Sequence, residues 1–123
     1  MATILVVEDN LDILSLLMMH LKGLGHRVLA ASDATVAVQQ IREGKPDLLI
    51  LDYRIPGGSG VSVMENLKNF IDMVGTPVIF ISALPPDEIM KAVPLSRSVK
   101  FMAKPLELQT LSAWIATMLG KSS

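Results

Sequence analysis

The chain has 123 residues, half of them hydrophobic, a formal net charge of -1 and no cysteine. A length of this order suits one domain that buries roughly two-thirds of its unfolded surface, and so apolar a composition excludes a disordered chain. The near-neutral charge argues against direct contact with nucleic acid, and the missing cysteines exclude disulfides, thiolate catalysis and cysteine-based metal sites.

The N-terminal Met1-Ala2-Thr3 leads straight into an apolar run, with no basic leader or cleavage pattern. No apolar stretch approaches the ~18 residues of a membrane span. A cytoplasmic protein without membrane insertion is therefore expected.

Five short apolar runs, at residues 4–7, 28–31, 48–51, 78–81 and 99–102, alternate with helical patterns. Their continuity, in place of strict alternation, predicts strands buried on both faces, as in a parallel sheet. The last run alternates more and reads as an edge. After the first run, Asn10 is placed to cap a helix whose inner face carries Leu14, Leu17, Met18 and Leu21 and which stops at Gly23 or Gly25. Asp33 is placed to cap a second helix that turns Ala34, Ala37, Val38 and Ile41 to the sheet, with Gly44 and Pro46 beyond its end. A third helix carries Val63, Leu67, Phe70 and Ile71 and stops near Gly75-Thr76-Pro77. Pro85-Pro86 opens a short fourth helix, with Asp87 and Glu88 at the positive end of its dipole, and Pro94 cuts it off. The last helix carries Leu108, Leu111, Ile115 and Met118 and ends at Gly120.

This pattern predicts an α/β fold of (βα)5 type, a flavodoxin-like three-layer sandwich. Its five-stranded parallel sheet takes the order 2-1-3-4-5, and one domain spans residues 1–123. Ligands of such sheets bind outside the strand C-termini at the switch point between the first and third strands.

Chemistry-bearing residues stand at those ends. Glu8-Asp9 follows the first run, Asp52 the third, Ser82 the fourth and Lys104-Pro105 the fifth. Crowded carboxylates push one another toward protonation unless a cation joins them. Mg²⁺, a hard ion content with one or two carboxylates, a carbonyl, waters and phosphate oxygens, fits that need. Lysine is a compact charge suited to phosphate, and a cis Lys104-Pro105 bond is compatible with the sequence. Singly, each residue has an ordinary reading: a helix-capping acid, a turn-forming serine, a surface lysine.

Together, in this order and near this spacing, they make the chain resemble a two-component response regulator receiver domain of the single-domain, chemotaxis-regulator type, over essentially all its length. The resemblance implies that Asp52 is the phosphoacceptor, taking its phosphoryl group from a sensor histidine kinase or a histidine phosphotransfer domain. It implies that Asp9, Asp52 and the backbone carbonyl of Arg54 bind Mg²⁺, with Glu8 acting mainly through water. Lys104 and Ser82 hold phosphoryl oxygens, and Phe101 is the switch aromatic that turns inward with Ser82. Arg54 and Leu84 take the two positions that tune phosphoryl lifetime, and a long cation beside a bulky apolar group favours slow autodephosphorylation. The output partner is left open, and a monomer or weak dimer is expected.

The departures are Phe101 in place of the commoner tyrosine and the proline-rich fourth helix, at a face the family uses for output. Trp114 flanks the stripe of the last helix. Leu16 and Met19 lie opposite the buried stripe of the first, where phosphodonors dock in the family. His20 and His26 receive no role.

Three other readings compete. A pseudo-receiver, a constitutive interaction module, would not need the full acid, serine and lysine set. An FMN-binding flavodoxin would need a hydroxyl-rich loop after the first strand, where Asn10-Leu11-Asp12 stands. A phosphatase with an aspartate nucleophile would want a second acid where Arg54 stands. The Gly57-Gly58-Ser59-Gly60 stretch lacks the ending of a phosphate loop and reads as a turn.

Overall fold

The computed structural model describes residues 2–55, 58–59, 75–83 and 99–120. Five parallel strands, β1 (Thr3–Val7), β2 (Arg27–Ala31), β3 (Leu48–Asp52), β4 (Val78–Ser82) and β5 (Val99–Ala103), form one sheet in the order β2-β1-β3-β4-β5. This is the expected order. Three helices are described: α1 (Leu11–Gly23), α2 (Ala34–Gly44) and the last helix, here α3 (Leu108–Met118). The expected third and fourth helices, and Leu84, lie outside the described residues.

The strand repeat of two sorts the apolar residues into two cores. Ile4 and Val6 of β1, Leu48 and Ile50 of β3, Ile79 and Ile81 of β4 and Met102 of β5 pack with Leu14, Leu17 and Leu21 of α1 and Leu111 and Ile115 of α3. Their neighbours Leu5, Val7, Leu49, Leu51, Val78, Phe80 and Val99 face the other way, onto Ala34, Ala37 and Ile41 of α2. Every residue of β3 and β4 is buried, as their unbroken apolar runs require. β2, an edge strand, departs from the expected two-sided burial: only Ala31 is fully covered.

Local signals set the helix ends. The Asn10 side chain accepts from the Asp12 and Ile13 N–H groups at 3.0 and 3.1 Å and starts α1. Gly25, at φ 91°, supplies the left-handed turn after it. Asp33 Oδ1 accepts from the Val36 N–H at 2.8 Å and starts α2. Two expectations for α2 are corrected. Val38 is half-buried outside the core cluster, and Val36 packs against that cluster instead. Gly44 does not follow the helix but ends it, and the left-handed residue is Lys45, at φ 43°. A Cβ at Gly44 would meet Cδ1 of Leu29 on β2, a side-chain tip that would have to move aside.

Glu107 caps α3, its carboxylate accepting from the Gln109 N–H at 2.9 Å. α3 is tied to α1 by His20, whose Nε2 lies 2.6 Å from Ser112 Oγ. Ser112 Oγ in turn donates to the Leu108 carbonyl at 2.9 Å. Trp114 is half-buried against the same core, with Lys100 Nζ 5.5 Å from its ring centroid. Leu16 and Met19 are exposed on α1, as their position opposite the stripe predicts.

Candidate functional site at the strand mouths

Parallel pairing brings the C-terminal ends of β1, β3, β4 and β5 to one edge of the sheet, and the polar residues follow from that register. The Glu8 N–H donates to the Ala31 carbonyl at 3.0 Å, carrying the β1–β2 ladder one residue past the strand. Tyr53 N–H donates to the Ile81 carbonyl at 3.0 Å and Lys104 N–H to the Ser82 carbonyl at 2.8 Å. The Lys104-Pro105 bond is cis. Immediately after Asp52, Arg54–Ile55 pairs antiparallel with Gly58–Ser59, so the chain reverses at the mouth of β3.

Glu8 is completely buried, Asp52 and Ser82 nearly so, and Asp9 is exposed. Glu8, Asp9 and Asp52 each offer a carboxylate oxygen, and these oxygens lie within 4.8 Å of one another. The two buried acids are held alike. Asn10 N–H donates to Glu8 Oε2 at 3.1 Å, and Arg54 N–H donates to Asp52 Oδ1 at 3.0 Å. In each case the donor is the main chain two residues on. The other oxygen of each pair faces Lys104, whose Nζ is 2.8 Å from Glu8 Oε1 and 3.2 Å from Asp52 Oδ2. The Glu8 contact is close but poorly directed, so Oε1 makes an ion pair without a well-formed hydrogen bond.

The electrostatics follow from this crowding. Burial, then the adjoining Asp52 carboxyl, pushes Glu8 up to about 7, against the opposing pull of Lys104 and the Asn10 N–H. For Lys104, burial acts to lower the pKa, but Glu8 and Asp52 together outweigh it and raise it. One ammonium thus faces two acids, and Oε1 of the fully buried Glu8 lacks a directed donor. An all-oxygen donor set of two buried carboxylates and one exposed carboxylate fits a hard divalent cation.

Phe101 is half-buried on the opposite side of β5 from Lys100 and stacks on Phe80, ring centroids 5.7 Å apart and planes 15° apart. Tyr53 packs against the same core. The Arg54 side chain is exposed, and its described role is that of its N–H. Glu8, Asp9, Asp52, Ser82 and Lys104 are therefore brought to one edge, and Phe101 lies one strand position before Met102 on the adjoining β5. The sequence reading missed the direct pairing of Glu8 with Lys104. The extra methylene of glutamate over aspartate was the available signal for that reach.

The family model for the response regulator receiver domain matches residues 4–116. Among curated proteins, the chain is 31% identical over 120 residues to the phosphate regulon transcriptional regulatory protein PhoB of Escherichia coli, covering 98% of this chain and 52% of that protein. It is 30% identical over 120 residues to the alkaline phosphatase synthesis transcriptional regulatory protein PhoP of Bacillus subtilis, covering 97% of this chain and 49% of that one. The chain spans about half the length of these curated relatives. Among solved structures it is similar to a response regulator described as putative from Chloroflexus aurantiacus, with TM-score 0.84 and 26% identity over 97% of this chain and 98% of that one. It is also similar to the receiver domain of the sensor histidine kinase PA1611 from Pseudomonas aeruginosa, solved with magnesium coordinated in its active-site cleft, with TM-score 0.83 and 25% identity over 97% of this chain and 98% of that one. With the fold, the strand-mouth acids and these matches together, the chain belongs to the response regulator receiver domain family.

Proposed function

We propose that residues 1–123 form one receiver domain that accepts a phosphoryl group on Asp52 in a Mg²⁺-dependent reaction, from a phosphohistidine of a sensor histidine kinase or phosphotransfer domain. The observation that carries this reading is the convergence of Asp52, Glu8 and Lys104 within ion-pair distance at the mouth of the sheet.

Asp52 Oδ1 is pinned by the Arg54 N–H, which fixes the carboxylate plane for attack. A carboxylate oxygen of Asp52 forms the new bond to phosphorus as the phosphorus–nitrogen bond breaks. The electron pair leaves on the imidazole nitrogen, which takes up a proton, and the product is an acyl phosphate. Glu8, Asp9, Asp52 and the Arg54 carbonyl would hold Mg²⁺, which supplies charge neutralisation for the transferring group. Lys104 Nζ, already beside Asp52, is placed to take a phosphoryl oxygen, and Ser82 to offer its hydroxyl to another.

Phe101 and Ser82 form the readout. Ser82 ends the strand that carries Phe80, the ring on which Phe101 stacks, so a shift of Ser82 toward the phosphoryl group alters the packing of Phe101. Arg54 is exposed beside the acceptor and is assigned to tuning of the phosphoryl lifetime with Leu84, which lies outside the described residues. The pseudo-receiver alternative finds no support in a site that retains all its acids, its serine and its lysine.

Incubation with acetyl phosphate and Mg²⁺, followed by intact mass, tests the proposal. One phosphoryl adduct is expected in the parent chain, none without the metal and none in Asp52→Asn. An unmodified parent chain that is folded and binds Mg²⁺ would refute it.

A further inference from the structure

The chain has five aromatic residues, and three of them, Tyr53, Phe80 and Phe101, gather in the core on the α2 side of the sheet. The register of β4 and β5 sets Phe80 beside Phe101 and, two residues on and on the same face, Ser82 beside Ala103. Phe80 is fully buried, whereas Phe101 is half-buried. Their ring centroids are 5.7 Å apart and their planes 15° apart, a stacked geometry that adds to the gain from burial alone. A Phe101 ring that swung out to solvent would lose this partner and uncover one face of Phe80. Strand β4 therefore carries, on one face, the hydroxyl placed to meet a phosphoryl group and the ring on which Phe101 rests.

We propose that Phe80 is the seat of the switch: by stacking, it holds Phe101 on the sheet and sets how often that ring is seated before a phosphoryl group reaches Asp52. The inference rests on the phosphoacceptor reading, with Ser82 and Phe101 as its readout, and deepens it by adding a positioning residue in the core. A two-state equilibrium responds to a phosphoryl group only through the difference in affinity of its two states. A ring that is already seated leaves less of the change to be driven by the phosphoryl group, so the apparent affinity for that group rises with the seated fraction. A leucine at position 80 keeps the core apolar but offers no ring face, and it shifts the equilibrium toward the unseated ring.

Beryllofluoride, a tetrahedral mimic of the phosphoryl group, is titrated into the isotope-labelled chain at saturating Mg²⁺ and followed by NMR. The chains compared are the parent, Phe80→Leu, Phe101→Leu, the Phe80→Leu/Phe101→Leu double variant and Leu17→Ala, with folding checked by circular dichroism. Phe80→Leu is expected to bind beryllofluoride about two- to fivefold more weakly than the parent, the span that one aromatic pair allows. In the Phe101→Leu background the same substitution should change the affinity little. Leu17→Ala, which loosens the opposite core, should keep the parent's affinity. A folded Phe80→Leu with the parent's affinity overturns the proposal, as does a loss that persists in full without the Phe101 ring or recurs in Leu17→Ala. The Phe101 ring signals give a second reading that needs no phosphoryl group. In the parent they should lie upfield of their unfolded-chain positions, moved by the Phe80 ring, and should return part of the way in Phe80→Leu. Should Phe80→Leu not fold, the parent's signals decide: upfield positions support the seat, and unfolded-chain positions overturn it. Acetyl phosphate labelling separates the two readings. A parent that takes neither acetyl phosphate nor beryllofluoride while its ring signals lie upfield defeats the phosphoacceptor reading alone, whereas a labelled parent with unshifted ring signals defeats the seat alone.

Discussion

In the middle of β3, residues Leu48, Leu49, Ile50 and Leu51 are wholly buried among aliphatic side chains on both sides of the sheet. One residue further on, Asp52 is almost as well buried but shares its surroundings with a second acid and one lysine. The middle of the sheet gains stability from burial, since each apolar side chain taken from water contributes about 1.5–3 kcal/mol. The mouth gives some of that back, since desolvated charges are repaid only where their pairing is complete, and here two acids share one ammonium. The candidate site lies where burial is least favourable, and the stabilising apolar burial lies one residue away on the same strand.

Substitutions should separate the two regions. Leu17→Ala, in the wholly buried stripe of α1, is expected to cost about 3 kcal/mol in urea unfolding while leaving phosphoryl acceptance at Asp52 intact in the folded fraction. A comparable loss of labelling in fully folded protein would erase the distinction between middle and mouth.

The mouth should show itself through pH. The folded pKa of Glu8 is raised to about 7 from an ordinary 4.5, so folding favours its protonated form. Its contribution to stability is then fully present below about 4.5 and is lost as pH rises through about 7. The metal-free protein should melt at progressively lower temperature between these limits. Glu8→Gln should flatten the slope, and Mg²⁺ should restore stability on the alkaline side. A melting temperature that climbs across this window in the parent would show that Glu8 is not held as described.

Asp52→Asn leaves Lys104 and Glu8 as a matched pair. A gain of roughly 1 kcal/mol in metal-free stability at pH 8 is expected, in the range of a small adjustment to a partly buried ion pair, and is measurable as a higher denaturation midpoint. Destabilisation instead would mean that Asp52, and not Glu8, is the main partner of Lys104.

An effect of similar size belongs to neither region. Ser112 Oγ lies 2.9 Å from the Leu108 carbonyl and 2.6 Å from His20 Nε2, and so links the two helices. Ser112→Ala should cost about 1 kcal/mol and leave labelling unchanged; a shift of the His20 ring resonances would mark the lost partner.

Much of this was legible beforehand because burial leaves a direct trace in sequence. The runs at 48–51 and 78–81 could be read as central strands from their unbroken apolar character, and Asn10 and Asp33 as caps from their chemistry. The acids, Ser82 and Lys104 were legible as strand-end residues once the strands were placed. What escaped notice depended on space or distance. Val36 and Val38 both fit a helical stripe, and only the sheet decides between them. Gly44 looked like a stop signal, but it lies inside the helix, where a Cβ would meet the tip of the Leu29 side chain on a different element. Glu107 caps a helix although glutamate is an unusual residue for the task. The His20–Ser112 bond joins residues 92 positions apart, and no local pattern encodes it. The reach of Lys104 to Glu8 crosses two intervening strands, which strand order alone does not reveal.

The two backbone donors that grip Glu8 and Asp52 carry a consequence for how such a site can diversify. Because the grip comes from the main chain of residues 10 and 54, it belongs to the turn and not to the identity of the side chain. The exposed side chain at position 54 can be exchanged for a shorter, longer, neutral or acidic one without removing the N–H that holds Asp52 Oδ1. On the proposed phosphoacceptor reading, the side chain at position 54 can vary and alter reaction lifetime while its N–H keeps its hold on Asp52.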